Sequence, residues 1–294
     1  MKIKKCVITI AGFGTRLLPI TKTISKEMIP IIDLPVIFYQ VKEAYLSGIE
    51  EIIFVVSKRN IDLIKNFFSI DNVMIKEIKD DPKKANLLDE VNEIINNMKF
   101  TYVIQKIRGT YGSLYSAKDL LGNEPFALMY GDDLVVDNPP LLKQMISIYE
   151  KTKQSVVAVR YVEEDKLPKF GIIEYKNGNI LKNICYKDKV NPSQDIILGR
   201  FILSPSIFTV KDKLVIKSKE LQLPKALLYI NEDVQVLKLK GKYFDMGNKL
   251  EYIKATLYFG LQRKEFHDDL RKYMKEIEKN NWRKINYFFL VNIN

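Results

Sequence analysis

Five β-branched and apolar runs, "CVITI" (6–10), "EEIIFVV" (50–56), "FTYVIQ" (100–105), "FALMYGDD" (126–133) and "SVVAVRYV" (155–162), read as strands. Stretches of helical periodicity separate them: "LPVIFYQVKEAYLSG" (34–48), "NIDLIKNFF" (60–68), "NLLDEVNEIINNM" (86–98), "SLYSAKDLL" (113–121) and "NPPLLKQMISIYEKT" (138–152). Alternation of this kind dictates βαβ units and a mostly parallel sheet covered on both faces. In such sheets ligands gather at the carboxyl ends of the strands.

After about residue 165 the texture changes. "GIIEYKNGNILKNICYK" (171–187) is two short strands around an Asn-Gly turn, and "DIILGRFILSPSIF" (195–208) and "DVQVLKLKGKYFDMGN" (233–248) are further strand-like runs. From 249 onward one or two amphipathic helices are predicted, and "WRKINYFFLVNIN" closes the sequence. The expected fold is α/β: a Rossmann-like mixed, mostly parallel sheet flanked by helices, a smaller β-rich lobe over about 166–260, and C-terminal helices. The first half spans about 1–165, and residues 261–294 form a helical tail. An apolar cluster in that tail, Tyr287 to Val291 beside Trp282, suits either an oligomer contact or packing on the chain's own core.

With 47% apolar and 11% aromatic residues, a chain of 294 residues buries a sizeable core. Two cysteines, Cys6 and Cys185, are too few for a disulfide framework and fit no metal-ligand spacing, which points to a reducing compartment. The basic opening "MKIKK" leads into a short apolar stretch and then glycines rather than a cleavage site, and no run of 18 apolar residues occurs. A cytoplasmic, soluble protein without membrane contact is expected. The 47 Lys and Arg against 36 Asp and Glu are spread along the chain and interleaved with acids. That pattern disfavours a nucleic-acid surface and suits a field that attracts a small phosphorylated substrate.

The first strand ends at Ile10, so "AGFGTR" forms the first strand-to-helix turn. Glycine lets a backbone approach phosphates and present its N–H groups to them. The P-loop pattern is absent and "GFGTRL" lacks the third glycine of a dinucleotide fingerprint. The turn leads instead into Arg16, Lys22 and Lys26, cations suited to a polyphosphate. A tight turn with solvated lysines fits the same letters. At the end of "FALMYGDD", Asp132 and Asp133 suit Mg²⁺, which takes one or two carboxylates plus substrate phosphates. Neighbouring side chains on an extended chain point to opposite faces, so one of the two is the expected ligand. A turn pair capping the next element is the alternative. "FDMGN" (244–248) supplies a second acid, Asp245, after another strand. Together these groups suggest metal-assisted chemistry on a nucleotide.

"AGFGTRLLPITKTISKEMIPIIDLPVIFYQV" resembles the signature of the sugar-nucleotide pyrophosphorylases, in particular the bacterial enzymes that join UTP and glucose-1-phosphate. The resemblance continues in collinear order through "SGIEEIIFVVSKRN", "GNEPFALMYGDDL", "FGIIE", "NPSQDIILGRFILSP" and "GKYFDMGNKLEYI", from residue 3 to about 260. It implies that Ala11, Gly12, Gly14 and Thr15 line the nucleotide and its phosphates. Arg16 would then bind the leaving pyrophosphate, and Lys26 would neutralise charge at the α-phosphate. Gln105, Gly109 and Thr110 would read the base, in a segment one residue shorter than the family's usual spacing. Asp132 and Asp245 match the Mg²⁺ ligands, and Gly171 and Glu220 match positions near the sugar. The implied reaction is attack of a sugar-1-phosphate oxygen on the α-phosphorus of UTP, displacing pyrophosphate. The nucleophile is already anionic, so no general base is required. The single histidine, His267, is expected to be a solvated helix residue. The resemblance also implies a homo-oligomer, commonly a dimer or tetramer.

The later half departs from that family. Its Val-Glu-Lys-Pro motif, which holds hexose and sugar phosphate, corresponds here to Asn183, Ile184, Cys185 and Tyr186. Leu34 replaces the lysine of its Asp-Lys-Pro, and Pro224 and Lys225 replace the threonine and aspartate of its Glu-Ile-Gln-Leu-Thr-Asp. Strand alternation makes Lys187, rather than Lys182, the expected substitute for the lost lysine. Three readings result: an active uridylyltransferase with altered sugar recognition, a nucleotide-binding paralogue that catalyses poorly, or a transferase for another sugar phosphate or nucleotide, such as N-acetylglucosamine-1-phosphate or dTTP.

Overall fold

The computed structural model describes residues 2–169, 171–185, 192–215 and 220–279. Four strands, Lys5–Thr9, Glu51–Val56, Lys99–Ile104 and Phe126–Tyr130, run parallel in a nine-stranded sheet, with Lys99–Ile104 at one edge. Their side chains alternate between two apolar layers. Cys6, Ile8, Ile52, Phe54, Ala127 and Met129 enter one, while Val7, Ile53, Val55, Phe126 and Leu128 enter the other. Period-two alternation between two covered faces explains why these runs read as continuously apolar.

Helices Val36–Leu46, Ile61–Phe67, Asp89–Asn97 and Thr110–Ser116 lie on the connections between these strands. The chain steps outward from Lys5–Thr9 to Glu51–Val56 and Lys99–Ile104, then returns to place Phe126–Tyr130 on the other side of Lys5–Thr9. Strand order therefore reverses between Lys5–Thr9 and Phe126–Tyr130. A crevice opens at the carboxyl ends of such a pair, because their connections leave in opposite directions.

The later half contributes to the same sheet. Asp195–Leu203 lies antiparallel to Phe126–Tyr130, and Ile172–Tyr175 and Leu181–Cys185 form the predicted hairpin beyond it, turning at Gly178 with φ +56°. Val156–Tyr161 pairs antiparallel with Asp195–Leu203, and Gln235–Lys238 pairs parallel with Val156–Tyr161 in turn. Composition marked the change in texture at 165. It did not reveal that these strands would extend the central sheet.

The run expected as one strand over 126–133 is interrupted. Phe126–Tyr130 ends, residues 131 and 132 turn, and Asp133–Val136 pairs antiparallel with Lys242–Asp245 in a separate two-stranded sheet. Lys249–Gln262 and Lys264–Lys279 are two C-terminal helices. Trp282 and Tyr287 to Val291 lie outside the described residues.

Candidate active site

The turn after Lys5–Thr9 begins in the expected place. Gly14 adopts φ +65°, a conformation open to glycine at little cost, and Thr21 Oγ1 donates to its carbonyl at 2.9 Å. Ala11, Gly12 and Phe13 border a cavity of about 250 Å³, with Thr21, Ser57 and Asn60 on its other walls. Asn60 Nδ2 donates to the Ile10 carbonyl at 2.6 Å and ties this rim to the strand below. Short 3-10 turns at Thr15–Leu17 and Lys26–Met28 then present Arg16 and Lys26.

The two acids approach from the other side of the crevice. The turn after Phe126–Tyr130 carries Asp132, and the Lys242–Asp245 strand ends at Asp245. The Met246 N–H donates to the Asp132 carbonyl at 2.8 Å and closes the two strand ends together. Arg16 forks onto Asp245, with Nη1 at 2.5 Å from Oδ2 and Nη2 at 3.1 Å from Oδ1, and Nη2 also lies 3.5 Å from Asp132. Lys26 Nζ lies 2.6 Å from Asp132. Residues more than 200 positions apart thus form one compact group of two cations and two carboxylates. A Cβ at Gly247 would meet the Arg16 guanidinium, which would have to shift.

The opposing charges outweigh burial in setting the ionisation of this group. Desolvation pushes the Asp132 carboxyl up, but Lys26 and Arg16 outweigh it and hold it below the usual carboxylate range. Lys26 shows the mirror image: burial lowers it, and Asp132 and Glu27 raise it above its ordinary value. Both groups are therefore charged near neutrality. Asp133 points elsewhere, accepting from the Gly199 N–H and the Tyr243 hydroxyl, each at 2.7 Å. Burial and the neighbouring Asp132 push its carboxyl up to about 6. The two adjacent acids thus have different partners, with Asp132 in the turn rather than on the extended strand assumed for both.

Glu27 escaped the sequence reading. Its side chain is 1% exposed, neither carboxylate oxygen has a hydrogen-bond partner, and Lys26 Nζ is 3.8 Å away. Burial pushes it up to about 7, with Lys26 opposing. No local pattern marks an acid that the fold sinks beside a catalytic-type lysine.

The expected base-reading residues line a neighbouring loop. Gln105 Nε2 donates to the Ile107 carbonyl at 2.7 Å. Gly109 has φ +92°, and a Cβ there would collide with the Leu221 backbone. Thr110 Oγ1 accepts from the Leu223 N–H at 2.9 Å. This loop is therefore stapled to the segment following Glu220, which is itself exposed. Gly171 precedes the Ile172–Tyr175 strand, and Lys187 lies outside the described residues. Ile184, in the position of the family's glutamate, is 5% exposed and packed in the core. Lys182 is paired with Glu174 at 2.5 Å. His267 is half-buried, with Nδ1 2.7 Å from the Leu261 carbonyl, rather than simply solvated.

Among the described residues no cluster of three or more His, Cys, Asp or Glu is arranged to hold a metal. The two carboxylates, Asp132 and Asp245, nonetheless fit Mg²⁺, which takes one or two protein carboxylates and completes its shell with substrate phosphates and water. Such a site needs no third protein acid.

A family model described as nucleotidyl transferase matches residues 5–259, and the chain belongs to this family and is an enzyme of that class. Within it, the chain is 35% identical over 94% of its length to a UTP--glucose-1-phosphate uridylyltransferase of Staphylococcus epidermidis, covering 99% of that protein. A crystal structure of UDP-glucose pyrophosphorylase complexed with UDP-glucose superposes with a TM-score of 0.79 at 34% identity, covering 89% of this chain and 100% of the other. The UTP-bound enzyme from Acinetobacter baumannii superposes with a TM-score of 0.85 at 30% identity, covering 94% of this chain and 99% of the other.

Proposed function

We propose that the chain transfers a uridylyl group from UTP to glucose-1-phosphate, giving UDP-glucose and pyrophosphate. The observation that carries this reading is the group of Arg16, Lys26, Asp132 and Asp245 gathered where the strand order reverses. A phosphate oxygen of the sugar-1-phosphate forms a bond to the α-phosphorus of UTP while the bond from that phosphorus to the bridging oxygen breaks, and pyrophosphate leaves with the electron pair. The attacking oxygen is anionic near neutral pH, so no side chain removes a proton.

The chain's own work is positioning and charge neutralisation. The 11–15 turn cradles the phosphates, Arg16 takes the pyrophosphate, and Lys26 faces the α-phosphate. Gln105, Gly109 and Thr110 border the base, and Gly171, Glu220 and Lys187 border the sugar. Asp132 and Asp245 would hold Mg²⁺, which when bound supplies charge compensation for the triphosphate. Before that, Arg16 and Lys26 neutralise the same two acids. Residues 1–165 form the nucleotide half, 166–260 the sugar half, and 261–294 a tail suited to a homo-oligomer, dimer or tetramer. Two free thiols, one of them buried, favour the cytoplasm. No helix among the described residues is long and apolar enough to cross a membrane.

One observation favours a second reading, a nucleotide-binding paralogue with little turnover: the family's charged sugar contacts correspond to core-packed Ile184 and to Cys185. Pyrophosphate release with UTP, Mg²⁺ and a panel of sugar-1-phosphates, with Asp132→Ala as control, separates the two. Release with glucose-1-phosphate that vanishes in the control is expected. UTP binding with silence across the panel would establish the second reading.

A further inference from the structure

Behind the acid turn lies a buried polar group that the chemistry above does not use. Arg200, in the Asp195–Leu203 strand, is 0% exposed, as is Gln40 of the Val36–Leu46 helix. Arg200 Nε and Nη2 fork onto Glu43 Oε2 at 3.1 and 2.9 Å. The guanidinium also donates to backbone carbonyls and to Gln40. Nη2 donates to the Asp133 carbonyl at 2.7 Å, and Nη1 to the carbonyls of Gly199 at 3.1 Å and Tyr130 at 3.5 Å. Gln40 Nε2 donates to the same Asp133 carbonyl at 2.9 Å, and its Oε1 accepts from Arg200 Nη2.

These bonds bracket Asp132. The carbonyls immediately before and after the two-residue turn, Tyr130 and Asp133, both end on this group. A Cβ at Gly131 would collide with Ile10, so the turn is also pressed against the first strand. A buried ion pair is weak support for stability, because well-packed apolar residues of similar volume often do as well. Apolar residues, however, have no donors for these carbonyls. We propose that Arg200 and Gln40 are positioning residues, which fix the backbone of the 130–133 turn so that the Asp132 carboxylate is aimed into the phosphate site. Glu43 holds Arg200 in place and also accepts from the Leu142 N–H at 3.2 Å. The proposal rests on Asp132 being a metal ligand, as in the proposed function.

The test is Mn²⁺ binding in the presence of UTP, followed by electron paramagnetic resonance, together with steady-state kinetics. Gln40→Met keeps an unbranched side chain of similar length and removes the donor and the acceptor. It is expected to stay folded, weaken Mn²⁺ binding about tenfold and lower kcat, as loss of an outer partner of a metal ligand does, with KM for glucose-1-phosphate unchanged. Arg200→Lys is expected to act in the same direction and more strongly. Ile64→Val, a core change on the Ile61–Phe67 helix, is the stability control and leaves Mn²⁺ binding at the parent value. Mn²⁺ affinity in Gln40→Met equal to the parent's, or reduced equally in Ile64→Val, would overturn the proposal. Asp132→Asn keeps the two ideas apart: if it binds Mn²⁺ as the parent does, the ligand assignment itself fails, whatever Gln40→Met shows.

Discussion

The proposed phosphate end and the proposed sugar end of this crevice are built differently. At the phosphate end, charged side chains from four separate segments converge within hydrogen-bonding distance, and each is fixed by a turn or a strand end. At the sugar end, the hairpin strand Leu181–Cys185 turns an isoleucine into the core, and its exposed Lys182 is tied to Glu174. Asn183 Nδ2 lies 3.8 Å from Cys185 Sγ. Triphosphate chemistry tolerates little movement, because its gain comes from charges already in place when the new bond forms. Sugar recognition draws on many weaker contacts, so one charged pair can be replaced without dismantling the site.

The largest effect that sharpens this contrast is expected from Lys26→Met. Removing a positioned cation from the α-phosphate should lower kcat by roughly 10² to 10³-fold while UTP still binds, as measured by pyrophosphate release and calorimetry. A loss confined to KM for the sugar phosphate would place Lys26 at the wrong end. Next comes Gly109→Ala. Its positive φ and the close Leu221 backbone together should cost about 3 kcal/mol of stability and loosen the seam between the base loop and the Glu220 segment. Denaturant titration and UTP affinity read the two effects separately, and a variant as stable as the parent would show that this seam is not tight.

Glu27→Gln probes the buried acid under the phosphate end. A carboxyl raised to about 7 binds its proton more tightly in the fold than in the unfolded chain. Glu27 should therefore contribute a fall of about 3 kcal/mol in unfolding stability as pH rises from about 4.5 to about 7, in addition to the fall from Asp133, whose carboxyl is raised to about 6, and the Gln variant should lose the Glu27 share. Melting curves across this range check it, and an unchanged slope would assign the dependence elsewhere. The smallest effect is expected at the sugar end. Cys185→Lys returns a cation to the position where the family carries one and should lower KM for glucose-1-phosphate roughly tenfold, leaving KM for UTP unchanged. A matching change in both constants would mean that the two ends are not independent.

The two ends also differ in how much of them was legible in the sequence. Glycines, cations and acids at the phosphate end come directly after strands of clear periodicity, so their place in the crevice could be read from the order of elements. The strand boundary between Tyr130 and Asp133 could not, because apolarity runs straight through the turn and only the pairing of Asp133–Val136 with Lys242–Asp245 reveals the break. Arg200 and Glu43 are 157 residues apart and look like ordinary surface charges until the sheet order puts them face to face. The hairpin around Gly178 was legible as local turn chemistry. Its attachment to the central sheet was not, since nothing in an isolated hairpin says which edge it will join.

The most direct test of uridylyl transfer is to supply the protein with UTP, Mg²⁺ and glucose-1-phosphate carrying ¹⁸O in its phosphate, and to analyse both products by mass spectrometry. Attack by the sugar phosphate on the α-phosphorus predicts UDP-glucose that retains all of the label, formed in equal amount with unlabelled pyrophosphate. Label appearing in pyrophosphate, or bound UTP with no UDP-glucose formed, would contradict the account.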